Sequence, residues 1–158
     1  LNTPVIINQF PKQDFVSALA FDYGTQRIGV AFGQSISGSA KAVSIIKAKD
    51  GIPDWEDIQK LLEEWKPDIF VVGIPYNLDG SDSELLVRAT KFAKRLNGRF
   101  GIPCYGMDER LSSKEAIEKI HQENGNTKKR AAIDDIAAQI ILENWFAEFS
   151  RNKSTTAV

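Results

Sequence analysis

Residues 18–33 read ALAFDYGTQRIGVAFG: one carboxylate, Asp22, stands at the end of an apolar run and is followed by a glycine turn and a second apolar run. Across residues 16–23 the small side chains of Ala18, Ala20 and Asp22 alternate with the large ones of Leu19, Phe21 and Tyr23, which is the period of two of a β-strand. Asp22 therefore points with the small residues. Gly24 and Thr25 supply a turn and RIGVAFG returns, so the stretch predicts a tight antiparallel hairpin with an acid beside its closed end. Asp is common where a turn opens, and taken alone Asp22 could do no more than that.

Working outward, AKAVSII makes a third strand after a Gly/Ser-containing connection. Trp55, Ile58, Leu61, Leu62 and Trp65 recur at helical spacing and Pro67 closes the segment, predicting a helix over Trp55–Trp65. DIFVVGIP is a short β-branched run of the kind found in strands buried on both faces. Ser81 and Glu84 are spaced as a capping box, ahead of an apolar stripe formed by Leu85, Ala89, Phe92 and Leu96. Arg88, Lys91, Arg95 and Arg99 lie opposite that stripe and read as a solvated face. IPCYGMD is a further strand, and Ser112 with Glu115 caps a helix running to about His121. The polar QENGNTKKR then precedes a last helix over about 133–149 and a polar tail. Hairpins first and crossovers after give an α/β fold, a single domain with a mixed five-stranded sheet, its first three strands antiparallel, flanked by helices. Residues 1–15 read as an N-terminal extension, 16–149 as the domain and 150–158 as a C-terminal tail.

At 158 residues, 42% apolar and 26% charged, the composition is that of an ordinary globular domain. No run approaches the roughly 18 apolar residues of a membrane span, which excludes a membrane partner of that kind. The start lacks a basic segment and an apolar core, so it does not resemble a secretory signal. The lone Cys104 has no disulfide or CxxC partner and reads as a buried core thiol. Both features point to the cytoplasm. A net charge of −1 and a pI near 5.9 argue against a protein that coats nucleic acid non-specifically.

Three carboxylates fall where strands or helices meet one edge of such a sheet. Asp22 closes the first strand, Glu109 follows PCYGMD, and Asp134 lies in the first turn of the last helix. Sites in open sheets gather beyond strand ends, and acids brought together there repel unless a cation neutralises them. Oxygen-only ligation suits Mg²⁺ or Mn²⁺, and one His with one Cys cannot build a zinc site. Asp108 alternates to the other face of its strand. Singly, Glu109 reads as a surface partner of Arg110 and Asp134 as an acid favoured near a helix start. His121 has no nucleophile to pair with and receives no role.

FDYGTQRIGVAFG, VVGIPYNLDGS, DERLSSKEA and IDDIAAQIIL, in this order and spacing, resemble the YqgF/RuvX family of Holliday junction resolvases, also regarded as pre-16S rRNA nucleases, within the RNase H-like superfamily. The resemblance covers about residues 18–142. It departs at Gln34, where many members carry Asp. It implies an RNase H-like fold and a hydrolase of phosphodiester bonds that uses two divalent ions, acting in processing of the 5′ end of pre-16S rRNA or in resolving Holliday junctions. It also implies Asp22, Glu109 and Asp134 as catalytic metal ligands, with Asp22 bridging.

Such an enzyme needs cations or backbone donors for phosphate. Arg27 follows the Asp22 turn, Arg110 adjoins Glu109, and Lys128, Lys129 and Arg130 lead to Asp134. Asn77 and Ser81, in the loop before a helix start, are polar contacts of the anion-binding kind; Asp79-Gly80 could equally be only a tight turn. The expected partner is nucleic acid, precursor rRNA or branched DNA, and a junction-cutting enzyme would act as a two-fold homodimer. Two other readings exist. DYGT also looks like the first phosphate loop of actin-like ATPases, which need a second such domain. A non-catalytic nucleic-acid or ribosome-binding module is the other, and the presence of all three acids counts against it.

Overall fold

The computed structural model describes residues 5–6, 9–75, 79, 83–109 and 130–156, with side chains for 9–75, 79, 83–109 and 136–153. Among these residues seven strands and three helices follow in the order β1 (Val5–Ile6), β2 (Ser17–Asp22), β3 (Arg27–Gln34), β4 (Ser39–Lys49), β5 (Ile52–Pro53), α1 (Trp55–Trp65), β6 (Ile69–Ile74), α2 (Glu84–Phe100), β7 (Cys104–Asp108) and α3 (Arg130–Thr156). The sheet order is β1-β7-β6-β2-β3-β4-β5. β2, β3 and β4 pair antiparallel, whereas β6 joins β2 and β7 joins β6 in parallel.

The predicted alternation divides the core. Leu19 and Phe21 face α1 and α2 and pack with Ile58, Phe70, Phe92 and Leu96. Ala18 and Ala20 face α3 and pack with Ile141, Leu142, Trp145 and Phe149. Small residues on that side bring the helix close to the sheet. At Gly33 a Cβ would stand 2.9 Å from the Phe146 ring and 2.5 Å from the Ser39 carbonyl, so glycine there is required by the contact. Asp54 caps α1 by accepting from the Glu56 amide, and Lys66, at φ 47°, ends it before Pro67.

Four expectations are corrected. The five anticipated strands are joined at the sheet edges by β1 and β5, each of two residues. β1 pairs with β7 and Phe10 packs on Trp145 and Phe149, so the first 15 residues are not wholly outside the fold. The α2 cap is Ser83, whose hydroxyl accepts from the Leu86 amide, in place of Ser81. The last helix begins at Arg130 and extends to Thr156, which puts Asp134 in its second turn and continues the helix through much of the anticipated tail. The helix expected after Ser112 lies outside the described residues, as do Asn77, Ser81, Arg110, His121, Lys128 and Lys129.

Candidate active site

Asp22 ends β2 on the α3 face, opposite Gly29 in the ladder. The last parallel pair between β2 and β6 is Phe21 with Val72, so the next step of the register sets Asp22 beside Gly73. On the other side of β6, Gly73 pairs with Met107, and Glu109 follows two residues on, its amide donating to the Ile74 carbonyl at 3.0 Å. The Glu109 carboxylate folds back over β6. A Cβ built on Gly73 would meet Glu109 Oε1 at 2.9 Å and Ile141 Cδ1 at 2.7 Å. Gly73, having no side chain, thus lets the Glu109 carboxylate and Ile141 of α3 pack directly against β6, next to the register position of Asp22. Asp22 and Glu109 are both half-buried.

Asp134 reaches this edge through the direction of α3. Phe149 packs in the cluster of Val16, at the entry of β2, and Ile141 stands over Gly73 near the exit of β6. The helix therefore runs antiparallel to β2 and β6. Position 134 is seven residues before Ile141, about 10 Å along the axis, toward the strand ends that carry Asp22 and Glu109. Arg130 is the first residue of the same helix. Among the described side chains no three His, Cys, Asp or Glu residues lie close enough to hold a metal ion; the side chain of Asp134 is outside that set.

Arg27 opens β3 at this same end of the sheet and is exposed. Asp108 lies on β7 opposite Ile74, a residue of the α1/α2 core, which agrees with its predicted alternation away from Glu109. Gln34 pairs with Ser17, five residues back along β2 from Asp22, about 17 Å at strand rise. The departure at Gln34 is therefore remote from the acids.

Several supporting contacts escaped the sequence. Tyr23, next to Asp22, donates its hydroxyl to the Gly51 carbonyl at 3.0 Å, and its burial raises the phenol above its ordinary pKa. The Gly51 amide returns to the Thr25 carbonyl at 2.8 Å, so the turn after Asp22 is tied to the β4–β5 turn. Ser83 donates to the Pro75 carbonyl at 2.9 Å and anchors both ends of the loop after β6. The supposedly solvated α2 stripe is only partly so: Arg88 binds Asp50 at 2.8 Å and Arg99 lies 4.4 Å from the Trp55 ring centroid. A lone glycine within a buried strand, FVVGI, was the available signal for close approach at Gly73. The side-chain contacts between distant segments had none.

With this geometry in place, comparison with known proteins is decisive. A sequence model of the RuvX family, described as Holliday junction resolvase, matches residues 16–148. The chain belongs to the RuvX family. A relative from Haemophilus influenzae (strain PittGG), which carries the provisional name pre-16S rRNA nuclease, is 51% identical over 132 residues, covering 83% of this chain and 95% of the relative. A relative of the same name from Histophilus somni (strain 2336) is 52% identical over 132 residues, covering 83% and 94%. Among solved structures, T. thermophilus RuvC in complex with a Holliday junction substrate superposes with a TM-score of 0.51 at 12% identity, over 84% of this chain and 95% of that one. At that identity the likeness is one of fold, and it agrees with the RNase H-like architecture expected of a RuvX family member.

Proposed function

We propose that the chain is a metal-dependent nuclease that hydrolyses phosphodiester bonds at the strand ends bearing Asp22 and Glu109. The carrying observation is that the register sets Asp22 beside Gly73 while the Glu109 carboxylate lies against Gly73, so both acids are gathered at one sheet edge. Carboxylates at one edge offer hard oxygen donors, so the residues present fit Mg²⁺ or Mn²⁺. Asp22, Glu109 and Asp134 would hold two such ions, with Asp22, on the central strand, shared between them. When bound, the ions supply positive charge at the phosphate and a more acidic water.

The chain's own groups do the remainder. Carboxylates gathered at one sheet edge repel, and this repulsion favours uptake of cations. Arg27, Arg110, Lys128, Lys129 and Arg130 contact the substrate backbone and set its register. Asn77 and Ser81, in the loop that Ser83 anchors, contact phosphate from the β6 side. Identity of about 50% to relatives named for pre-16S rRNA favours maturation of the 5′ end of that RNA in the cytoplasm. The family description favours four-way DNA junctions, and that substrate would call for a two-fold homodimer. Among the described residues no helix is long and apolar enough to cross a membrane.

The test is a cleavage panel of four-way junction, single-stranded RNA and pre-16S rRNA, with and without Mn²⁺. Metal-dependent cleavage of one of these is expected. Binding without cleavage of any of them would return the protein to the non-catalytic reading.

A further inference from the structure

We propose that Lys47 and Lys49 of β4, together with Arg27 of β3, form a second contact surface for the phosphate backbone of the nucleic-acid substrate, beside the acids on the same face of the sheet. The inference rests on the nuclease reading and extends its binding surface from Arg27 to Lys47 and Lys49, for which that reading gives no role.

The ladder sets Arg27 directly opposite Lys47. Two positive side chains thus start from facing positions on one side of the sheet, where like charges tend to repel. Lys49 is two residues further along and shares the face of Lys47; both are exposed. Alternation fixes which face this is. Ile28 and Ile46, the neighbouring pair, point into the α1/α2 core, so Arg27, Lys47 and Lys49 point to the α3 side. Asp22 pairs with Gly29 on that same side, and strand spacings put the Lys47 backbone about 12 Å from that of Asp22, a few nucleotides along a bound strand.

Asp50 and Asp54, two acids near the lysines, each have another contact. Asp50 binds Arg88 at 2.8 Å, and Asp54 accepts from the Glu56 amide as the cap of α1. The three cations border an open hollow of about 740 Å³, lined also by Gln26, Ala48, Ile52, Pro53 and the helix-capping Asp54. Ile52 pairs with Lys49 and is 53% exposed. An open surface with clustered cations and an apolar floor matches a sugar-phosphate chain, whose charge lies at its edge and whose sugars present carbon.

The test measures binding of the full chain to a labelled four-way junction and to a labelled pre-16S rRNA fragment by fluorescence anisotropy, in Ca²⁺ to prevent turnover, across a salt series. Lys47→Gln/Lys49→Gln is compared with Lys91→Gln/Lys94→Gln, which makes the same change of net charge on the exposed side of α2. For the substrate that wild type binds, the β4 pair is expected to flatten the slope of log K against log salt by about one per lysine, while the α2 pair leaves it unchanged. Thermal melts should match wild type for the α2 pair and match or exceed it for the β4 pair, where Lys47→Gln removes a charge facing Arg27. An unaltered slope in the β4 pair, or equal flattening in both pairs, overturns the proposal. A wild-type protein that binds neither probe at low salt would instead defeat the nuclease reading beneath it.

Discussion

The carboxylate of Glu109 rests against the backbone of Gly73, where a Cβ would stand 2.9 Å from Oε1. The side chains of Glu109, just after β7, and Ile141 of α3 thus take the space that an alanine methyl would need. Gly73→Ala should move Glu109 and lower cleavage, and should also cost about 1–3 kcal/mol of stability by overpacking Ile141. The two effects separate. Adding Ile141→Val removes the Cδ1 methyl that the new Cβ meets at 2.7 Å, so the double variant should regain melting temperature while cleavage stays low. Recovery of both would show that Glu109 placement is unimportant.

The neighbouring acids Asp134 and Asp135 should differ sharply. The helical period aligns position 134 with Ile141, which stands over Gly73. Position 135 aligns with Phe146, which packs at Gly33 on β3, away from Glu109. Asp134→Asn should abolish activity and Asp135→Asn should be nearly silent in the same cleavage assay. The reverse ranking would mean that the helix presents its other side to the acids.

Much of this was legible because the relevant signals are local. The alternation at residues 16–23 set the direction of Asp22, and Trp55–Trp65 forms the helix that its apolar spacing and Pro67 predicted. Two-residue strands such as β1 and β5 carry no period to read, since pairing with a neighbour alone makes them strands. Ser83 and Ser81 both stand ahead of the same apolar stripe, and tertiary context decided between them: Ser83 also reaches the Pro75 carbonyl. The Arg88–Asp50 pair joins residues 38 apart in sequence, so no local pattern could announce it. Of the candidate site, the placement of Asp22 and Glu109 was readable from strand ends, whereas the part played by Gly73 required the fold.

Cys104 provides a pH-dependent check on the core. It is 2% exposed, and burial pushes its thiol pKa up, because the thiolate loses hydration. A raised folded-state pKa gives stability that is fully present below the unfolded thiol value, about 8.5, and declines as pH rises beyond it. Tyr23 and Tyr105, also shifted up by burial, add the same trend above about pH 10. Unfolding free energy should therefore fall from pH 8 to 10, and Cys104→Ala should flatten that fall. Iodoacetamide should label wild type at pH 8 only as fast as the protein opens. Rapid labelling of the folded chain would contradict the burial.

The central claim is that Asp22 ends β2 in order to hold a catalytic metal ion. Its most direct measurement is the single-turnover cleavage rate of Asp22→Asn, on whichever substrate wild type cuts, at saturating Mn²⁺. Circular dichroism and thermal melting in the metal-free state would verify the fold, and stability there should hold or rise because a repelling charge is removed. Loss of even an outer-shell partner costs about 10–100-fold at metal sites, so loss of the shared ligand should exceed about a hundredfold, with melting unchanged or higher. Metal-dependent cleavage by Asp22→Asn at the wild-type rate would contradict the account.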